Sequence, residues 1–230
     1  MPEAPEVQVG QATASLSEGQ SSEAGPRETS GCGCGGGGGS TVHPGQRWPA
    51  RHGRVISNPL SGERIVIRTS GAQTGGRLLV FDLFLPPGGR VPARHVHPIQ
   101  AEQFTVVAGR LRFTLGRRTV LAGPGETVVV PAGTPHWFGN AGPDMAQARV
   151  EVCPALRTEE LLEASAAMAV AGRSLGLKLP RLADLAAFLL EFQREVAVPD
   201  LPTSLVRAVL ALLARVGRGD HRAARPAVAR

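Results

Sequence analysis

His95 and His97 stand one residue apart, Glu102 follows five positions after His97, and a further histidine, His136, comes from a separate stretch downstream. The first stretch reads G-R-V-P-A-R-H-V-H-P-I-Q-A-E-Q-F-T-V-V-A-G from Gly89 to Gly109. The second reads G-E-T-V-V-V-P-A-G-T-P-H-W-F-G-N from Gly125 to Asn140. A β-strand repeats every two residues, so His95 and His97 project to one face. Glu102, beyond the bend at Pro98, begins the next strand and points back to the same side. Pro131-Ala132-Gly133 sets a tight turn that delivers His136 inward, and the Asn140 amide is placed to cap a turn. Three neutral imidazoles and a carboxylate converging inside a barrel suit a divalent transition metal. Without a cation, burying these groups would be costly, because the ionised carboxylate would lack a partner. Four such ligands leave two positions open on a six-coordinate ion, where substrate or dioxygen would bind. A lone histidine is more often a core or surface residue. Here three of the six fall at matched positions with a carboxylate at the right offset, and metal binding is the better reading.

These side chains need a scaffold of short strands, and the surrounding sequence supplies one. β-rich runs occur at Arg64–Arg68, Leu78–Leu85, Phe104–Val107, Leu111–Leu115, Thr127–Val130, Trp137–Phe138 and Ala148–Val152. Between them stand Pro86-Pro87-Gly88-Gly89, Ala108-Gly109, Gly116-Arg117, Gly123-Pro124-Gly125 and Pro131-Ala132-Gly133. Such regular turn signals predict an all-β sandwich or barrel over residues 54–156. No helical period interrupts the series, which argues against a parallel βαβ arrangement.

The two stretches together resemble the cupin motifs. The first cupin motif is glycine, five residues, His-x-His, three or four residues, glutamate, six residues, glycine; Gly89, His95, His97, Glu102 and Gly109 satisfy it. The second is glycine, five residues, Pro-x-Gly, two residues, His, three residues, asparagine; Gly125, Pro131, Gly133, His136 and Asn140 satisfy it. The resemblance implies a double-stranded β-helix, or jelly-roll barrel, with His95, His97, Glu102 and His136 as metal ligands. It also implies Fe(II) or Mn(II) as the preferred ion, ahead of Zn, Ni or Cu, and commonly a homodimer. Cupins include dioxygenases, isomerases, decarboxylases, binding modules and storage proteins, so fold does not select the reaction. The intact ligand set favours an oxygenase-like enzyme acting on a small organic molecule. In it Glu102 serves as ligand or, off the metal, as a base. Phe104, Phe113, Trp137 and Phe138 would line the barrel mouth, although such residues more often belong to the core, and Arg94 would bind a substrate carboxylate, although a solvated surface arginine is the commoner case. The alternative is a non-enzymatic, metal-dependent small-molecule binder or sensor. With no tyrosine in the chain, an isomerase using a His/Tyr acid–base pair is excluded.

The flanks differ from this core. Residues 1–50 are dominated by Gly, Ser, Glu, Gln and Pro and predict a disordered tail, because they cannot bury enough apolar surface to offset ordering. After Cys153-Pro154 the pattern turns helical over 157–218, with segments at Thr158–Ala171, Arg181–Val196 and Thr203–Val216. Thr158 is the expected N-cap of the first, and Leu182, Leu185, Leu189 and Phe192 make a one-sided stripe on the second. These helices are expected to cover the outside of the barrel or a second subunit, with a membrane-surface role for Leu205–Arg218 the lesser reading. Residues 219–230 read as a basic, disordered end.

Totals set the remaining bounds. The apolar content of 42% excludes a wholly disordered chain, while 29 glycines and 19 prolines favour tight turns between short strands. The net charge of +6 comes largely from arginine and follows a general Ala/Arg/Gly/Pro enrichment, so no nucleic-acid partner is expected. Three cysteines, two of them Cys32 and Cys34 in a glycine run, form no disulfide framework and no zinc quartet. The first forty residues lack an apolar export signal, and the run Ala208–Ala214 falls far short of the ~20 residues a bilayer span needs. A cytoplasmic location without stable membrane insertion is the expectation.

Overall fold

The computed structural model describes residues 9–11, 53–91, 93–174 and 182–199, together with positions 204, 208, 211 and 212. Ten strands are present among them: β1 (Val9–Gln11), β2 (Val55–Ser57), β3 (Arg64–Thr69), β4 (Leu79–Leu85), β5 (Ala101–Ala108), β6 (Leu111–Leu115), β7 (Arg118–Ala122), β8 (Glu126–Val130), β9 (His136–Asn140) and β10 (Ala146–Cys153). Two helices follow, α1 (Thr158–Ser174) and α2 (Leu182–Glu191). The strands form a seven-stranded sheet in the order β1-β8-β5-β10-β4-β3-β2 and a three-stranded sheet in the order β7-β6-β9. Neighbours pair antiparallel throughout. The expected all-β jelly roll with appended helices is the fold.

Period-two alternation explains how the sheets enclose a core. Along β5, Glu102, Phe104 and Val106 are buried while the residues between them are half-buried; β10 repeats this with Ala146, Ala148, Val150 and Val152. Phe113 and Leu115 of β6 and Phe138 of β9 bring the small sheet's inner face into the same apolar cluster. Removing these side chains from water is the principal stabilisation of the barrel. Two turns depend on glycine. Gly109 has φ +72°, and a Cβ there would lie 2.7 Å from the Ala146 Cα. Gly133 has φ +76° at the third position of the turn closed by Thr134 N–H to the Pro131 carbonyl, 3.2 Å.

The flanks refine the sequence reading. Within the expected tail, Val9–Gln11 pairs with Glu126–Val128 of β8 and covers an edge that would otherwise present unpaired backbone groups. The rest of 1–50, Cys32 and Cys34 included, lies outside the described residues, as does 219–230. Strands β2 and β7 fall outside the predicted runs. α1 packs beside β2, tied by Arg54 to Glu159 and Glu163 and by the Glu159 carboxylate accepting the Gly71 N–H at 2.7 Å. Thr158 is helical rather than a flanking cap; Leu161 N–H bonds the Arg157 carbonyl, and the Thr158 hydroxyl accepts from Gln100 Nε2 at 2.7 Å. Of the third expected helix, positions 204, 208, 211 and 212 are described, and they are helical. Among the described residues no helix is long and apolar enough to cross a membrane.

Candidate metal centre

The four sequence-predicted ligands come together. One ligand atom from each of His95, His97, Glu102 and His136 lies within 4.8 Å of the others. Glu102 stands second in β5, opposite Val130 of β8 and Val152 of β10, with Phe104 the next inward residue. His136 opens β9 opposite Leu115 and is followed inward by Phe138. His95 pairs with His136 through both backbone hydrogen bonds, 3.0 and 2.8 Å. The turn at Gly133 donates its N–H to the His97 carbonyl at 2.8 Å, which locks the first stretch against the second. Asn140 holds the far end of β9: its amide nitrogen donates to the carbonyls of Leu85 and Asp144, and its oxygen accepts the Gly142 N–H.

Each imidazole has one nitrogen committed. The Nδ1 of His95 meets the Ala93 carbonyl at 3.1 Å, that of His136 meets the Thr134 carbonyl at 2.9 Å, and that of His97 meets the Glu195 carbonyl. A carbonyl oxygen only accepts, so all three Nδ1 atoms carry hydrogen and each Nε2 is left to the interior. There Glu102 Oε2 lies 3.0 Å from His136 Nε2 and 3.5 Å from His97 Nε2. His97, Glu102 and His136 are buried, and His95 is half-buried.

Charge follows from this packing. Burial alone would raise the Glu102 carboxyl, but the His97 imidazole and the hydrogen bond from His136 outweigh it and hold the pKa at about 2. Burial, with repulsion from His136 and His97, pushes His95 down to about 4. Burial would also lower His136, yet its bond to the Glu102 carboxylate carries it upward. The site thus holds an ionised carboxylate facing imidazoles whose inner nitrogens are lone-pair donors or share a proton with it. A divalent cation is the natural replacement for that proton. Donor atoms ~2.1 Å from an ion stand about 3 Å apart when cis and about 4 Å when trans. Glu102 Oε2 already lies 3.0 and 3.5 Å from the Nε2 atoms of His136 and His97, and the nitrogen–oxygen character of the quartet fits Fe(II), Mn(II) or Zn(II) alike.

The remaining sequence-predicted residues have other positions. Phe104, Phe113 and Phe138 pack on one another with ring centroids 4.9 to 5.8 Å apart, and all three are buried. They form an aromatic floor one strand step beneath Glu102 and His136 rather than an open mouth. Trp137 faces away from His136 along β9 and donates its indole N–H to the Val91 carbonyl. Arg94 is exposed, with a guanidinium nitrogen 3.5 Å from the Gly116 carbonyl. The sequence reading did not single out Ala93, Thr134 or Glu195, whose contribution is a backbone carbonyl that no side-chain pattern announces.

Residues 82–153 match the family described as a cupin domain. Similar solved structures include a predicted oxalate decarboxylase from Thermotoga maritima, 20% identical, with TM-score 0.40, covering 44% of this chain and 91% of that one. A sugar phosphate isomerase from a cupin superfamily, from Silicibacter pomeroyi, is 26% identical with TM-score 0.37, covering 45% and 69%. The cupin domain of Schizosaccharomyces pombe Cnp3 is 11% identical with TM-score 0.37, covering 50% and 72%. No curated protein matches the chain.

Proposed function

The barrel of this chain belongs to the cupin superfamily, and from that premise we propose a metal-dependent, oxygenase-like enzyme acting on a small organic molecule. The observation that carries the reading is the shared arrangement of three imidazoles: each Nδ1–H is spent on a backbone carbonyl, the Nε2 atoms of His97 and His136 face the Glu102 carboxylate, and a ligand atom of His95 lies within 4.8 Å of the other three. His95, His97, Glu102 and His136 would hold the ion, with Fe(II) or Mn(II) favoured. Bound there, the ion supplies a Lewis acid and a redox centre with coordination positions left for substrate or dioxygen. The protein's own part is orientation and exclusion of water. The three phenylalanines close the site from beneath, so a ligand approaches from the side of His95, the half-buried member. Glu102, held ionised, would be a ligand to the ion or a base for a substrate proton.

A second reading, a metal-dependent binder or sensor without turnover, draws support from the packed aromatic floor, which fills the interior beneath the ligands. Oxygen consumption by the iron-loaded protein with phenolic, diketone and thiol substrates separates the two. Turnover lost on His97→Ala supports the enzyme; tight ligand binding without oxygen uptake supports the binder. Metal analysis of untagged protein comes first, and a metal-free product that takes up no Fe(II) or Mn(II) refutes both. A homodimeric state belongs to the same proposal and is read by size-exclusion chromatography.

A further inference from the structure

His97 differs from the other two imidazoles in where its orienting group comes from. His95 and His136 each use the carbonyl two residues earlier, Ala93 and Thr134, so their own turns set their geometry. The His97 Nδ1 instead meets the carbonyl of Glu195, 98 residues along the chain and beyond α2. The contact is part of a built connection. After α2 the chain turns through Glu195 N–H and Val196 N–H, both bonded to the Phe192 carbonyl. Ala197 then pairs with Val96, the residue between the two histidines, through hydrogen bonds of 3.1 and 2.9 Å. The connection is anchored on both sides. Phe192 is buried at 2% exposure against Phe188 and under the Arg157 guanidinium, and the buried Glu195 carboxylate accepts the Arg157 N–H at 3.3 Å.

We infer that Phe192–Val198 is a positioning strap for the metal centre, in which the Glu195 carbonyl fixes the His97 ring and the Ala197–Val96 pairing fixes its backbone. The inference rests on the reading of the quartet as a metal site. Its chemistry is simple: the carbonyl forces hydrogen onto Nδ1, keeps the Nε2 lone pair free for the ion, and removes ring rotation that binding would otherwise have to freeze. Glu195 and Ala197 act through His97 and are positioning residues. The helical extension is then thermodynamically coupled to the barrel's ion, and the coupling must be reciprocal. An ion in the quartet steadies the strap, and a disturbed strap loosens the ion.

The test uses the full chain with Mn(II), and with Co(II) as a spectroscopic probe. Ala197→Pro removes the N–H bonded to Val96, and Ala197→Ser keeps it. The expected result is a 10- to 100-fold loss of Mn(II) affinity in Ala197→Pro, measured by chelator competition, with an altered Co(II) visible spectrum. Ala197→Ser should match the unmodified chain in both. Amide hydrogen exchange of the unmodified chain gives a second measurement that does not depend on any variant folding: saturating Mn(II) should slow exchange across 192–198. Equal exchange with and without the ion, or Ala197→Pro binding as tightly as the unmodified chain, overturns the strap while leaving the metal site standing. Failure of the unmodified chain to bind either ion overturns both.

Discussion

Glu102 and Asp82 are both buried carboxylates of the large sheet, on β5 and β4 with β10 between them, and they keep different company. Asp82 lies between the core residues Phe81 and Leu83 and therefore points to the sheet's outer face. Arg68 meets its Oδ2 at 2.7 Å, and two nitrogens of Arg149, its register partner on β10, meet Oδ1 at 3.1 Å. Those partners are permanently charged and forked to suit a carboxylate. Glu102 points inward to three imidazoles, which must either gain protons or share a cation with it. Equal burial thus serves two ends. A carboxylate among guanidinium groups is complete as the chain folds, whereas one among imidazoles shares a proton with His136 and, under the proposed function, would exchange it for an ion.

The sharpest test of this contrast is Asp82→Ala. It removes the carboxylate that Arg68 and Arg149 share and is expected to cost about 2–3 kcal/mol in denaturant unfolding, with metal content unchanged. A cost below about 1 kcal/mol would show that the buried cluster contributes no more than an exposed ion pair. Glu102→Gln should do the reverse. Metal affinity is expected to fall by about 100-fold or more, with loss of the roughly 2.7 kcal/mol that an ion at 100 times its Kd contributes. With chelator present, the variant should unfold within about 1 kcal/mol of the unmodified chain.

Glu63, in the turn between β2 and β3, gives a third case: a carboxyl with neutral neighbours. Burial pushes its pKa up from 4.5 to about 7, against the opposing hydrogen bonds of Asn58 and Ser61. The folded protein therefore retains a proton that the unfolded chain releases near pH 4.5, so the contribution of Glu63 to stability is greatest below that value and declines as pH rises through about 7. Glu63→Gln should flatten that decline, expected at about 3 kcal/mol, in melts from pH 4 to 8. An unchanged slope would assign the decline to other groups. The smallest effect belongs to Arg54, half exposed and paired with Glu159 and Glu163. Arg54→Ala should shift stability by less than about 1 kcal/mol, with most of that shift abolished by high salt.

The ligands were legible in the sequence because side chains and their spacing carry that information. The two-residue step from His95 to His97 and the Pro-x-Gly turn before His136 behave as their residue types require. The partners of Asp82 were not legible, since Arg149 is 67 residues away and meets it through sheet register alone. β7 escaped because its pattern is mostly exposed, with Arg118, Thr119 and Leu121 facing solvent and Ala122 alone fully inside. β1 escaped because a three-residue strand held by the edge of β8 needs little apolar character of its own. The phenylalanines of the inner face were recognised as aromatic neighbours of the site, but their packing on one another depends on how the two sheets face, which periodicity does not specify.

Glu102 belongs to the large sheet and His136 to the small one, 34 positions further along the chain. Any ion gripped by both is therefore a clasp across the sandwich as well as a reactive centre. On one side β9 pairs continuously with β6; on the other it has only the single-residue bridges at Arg90 and His95 among the described residues. Opening the clasp would remove one of the ties that hold β9 on that side, so the same event that empties the site would also loosen the wall that shapes it.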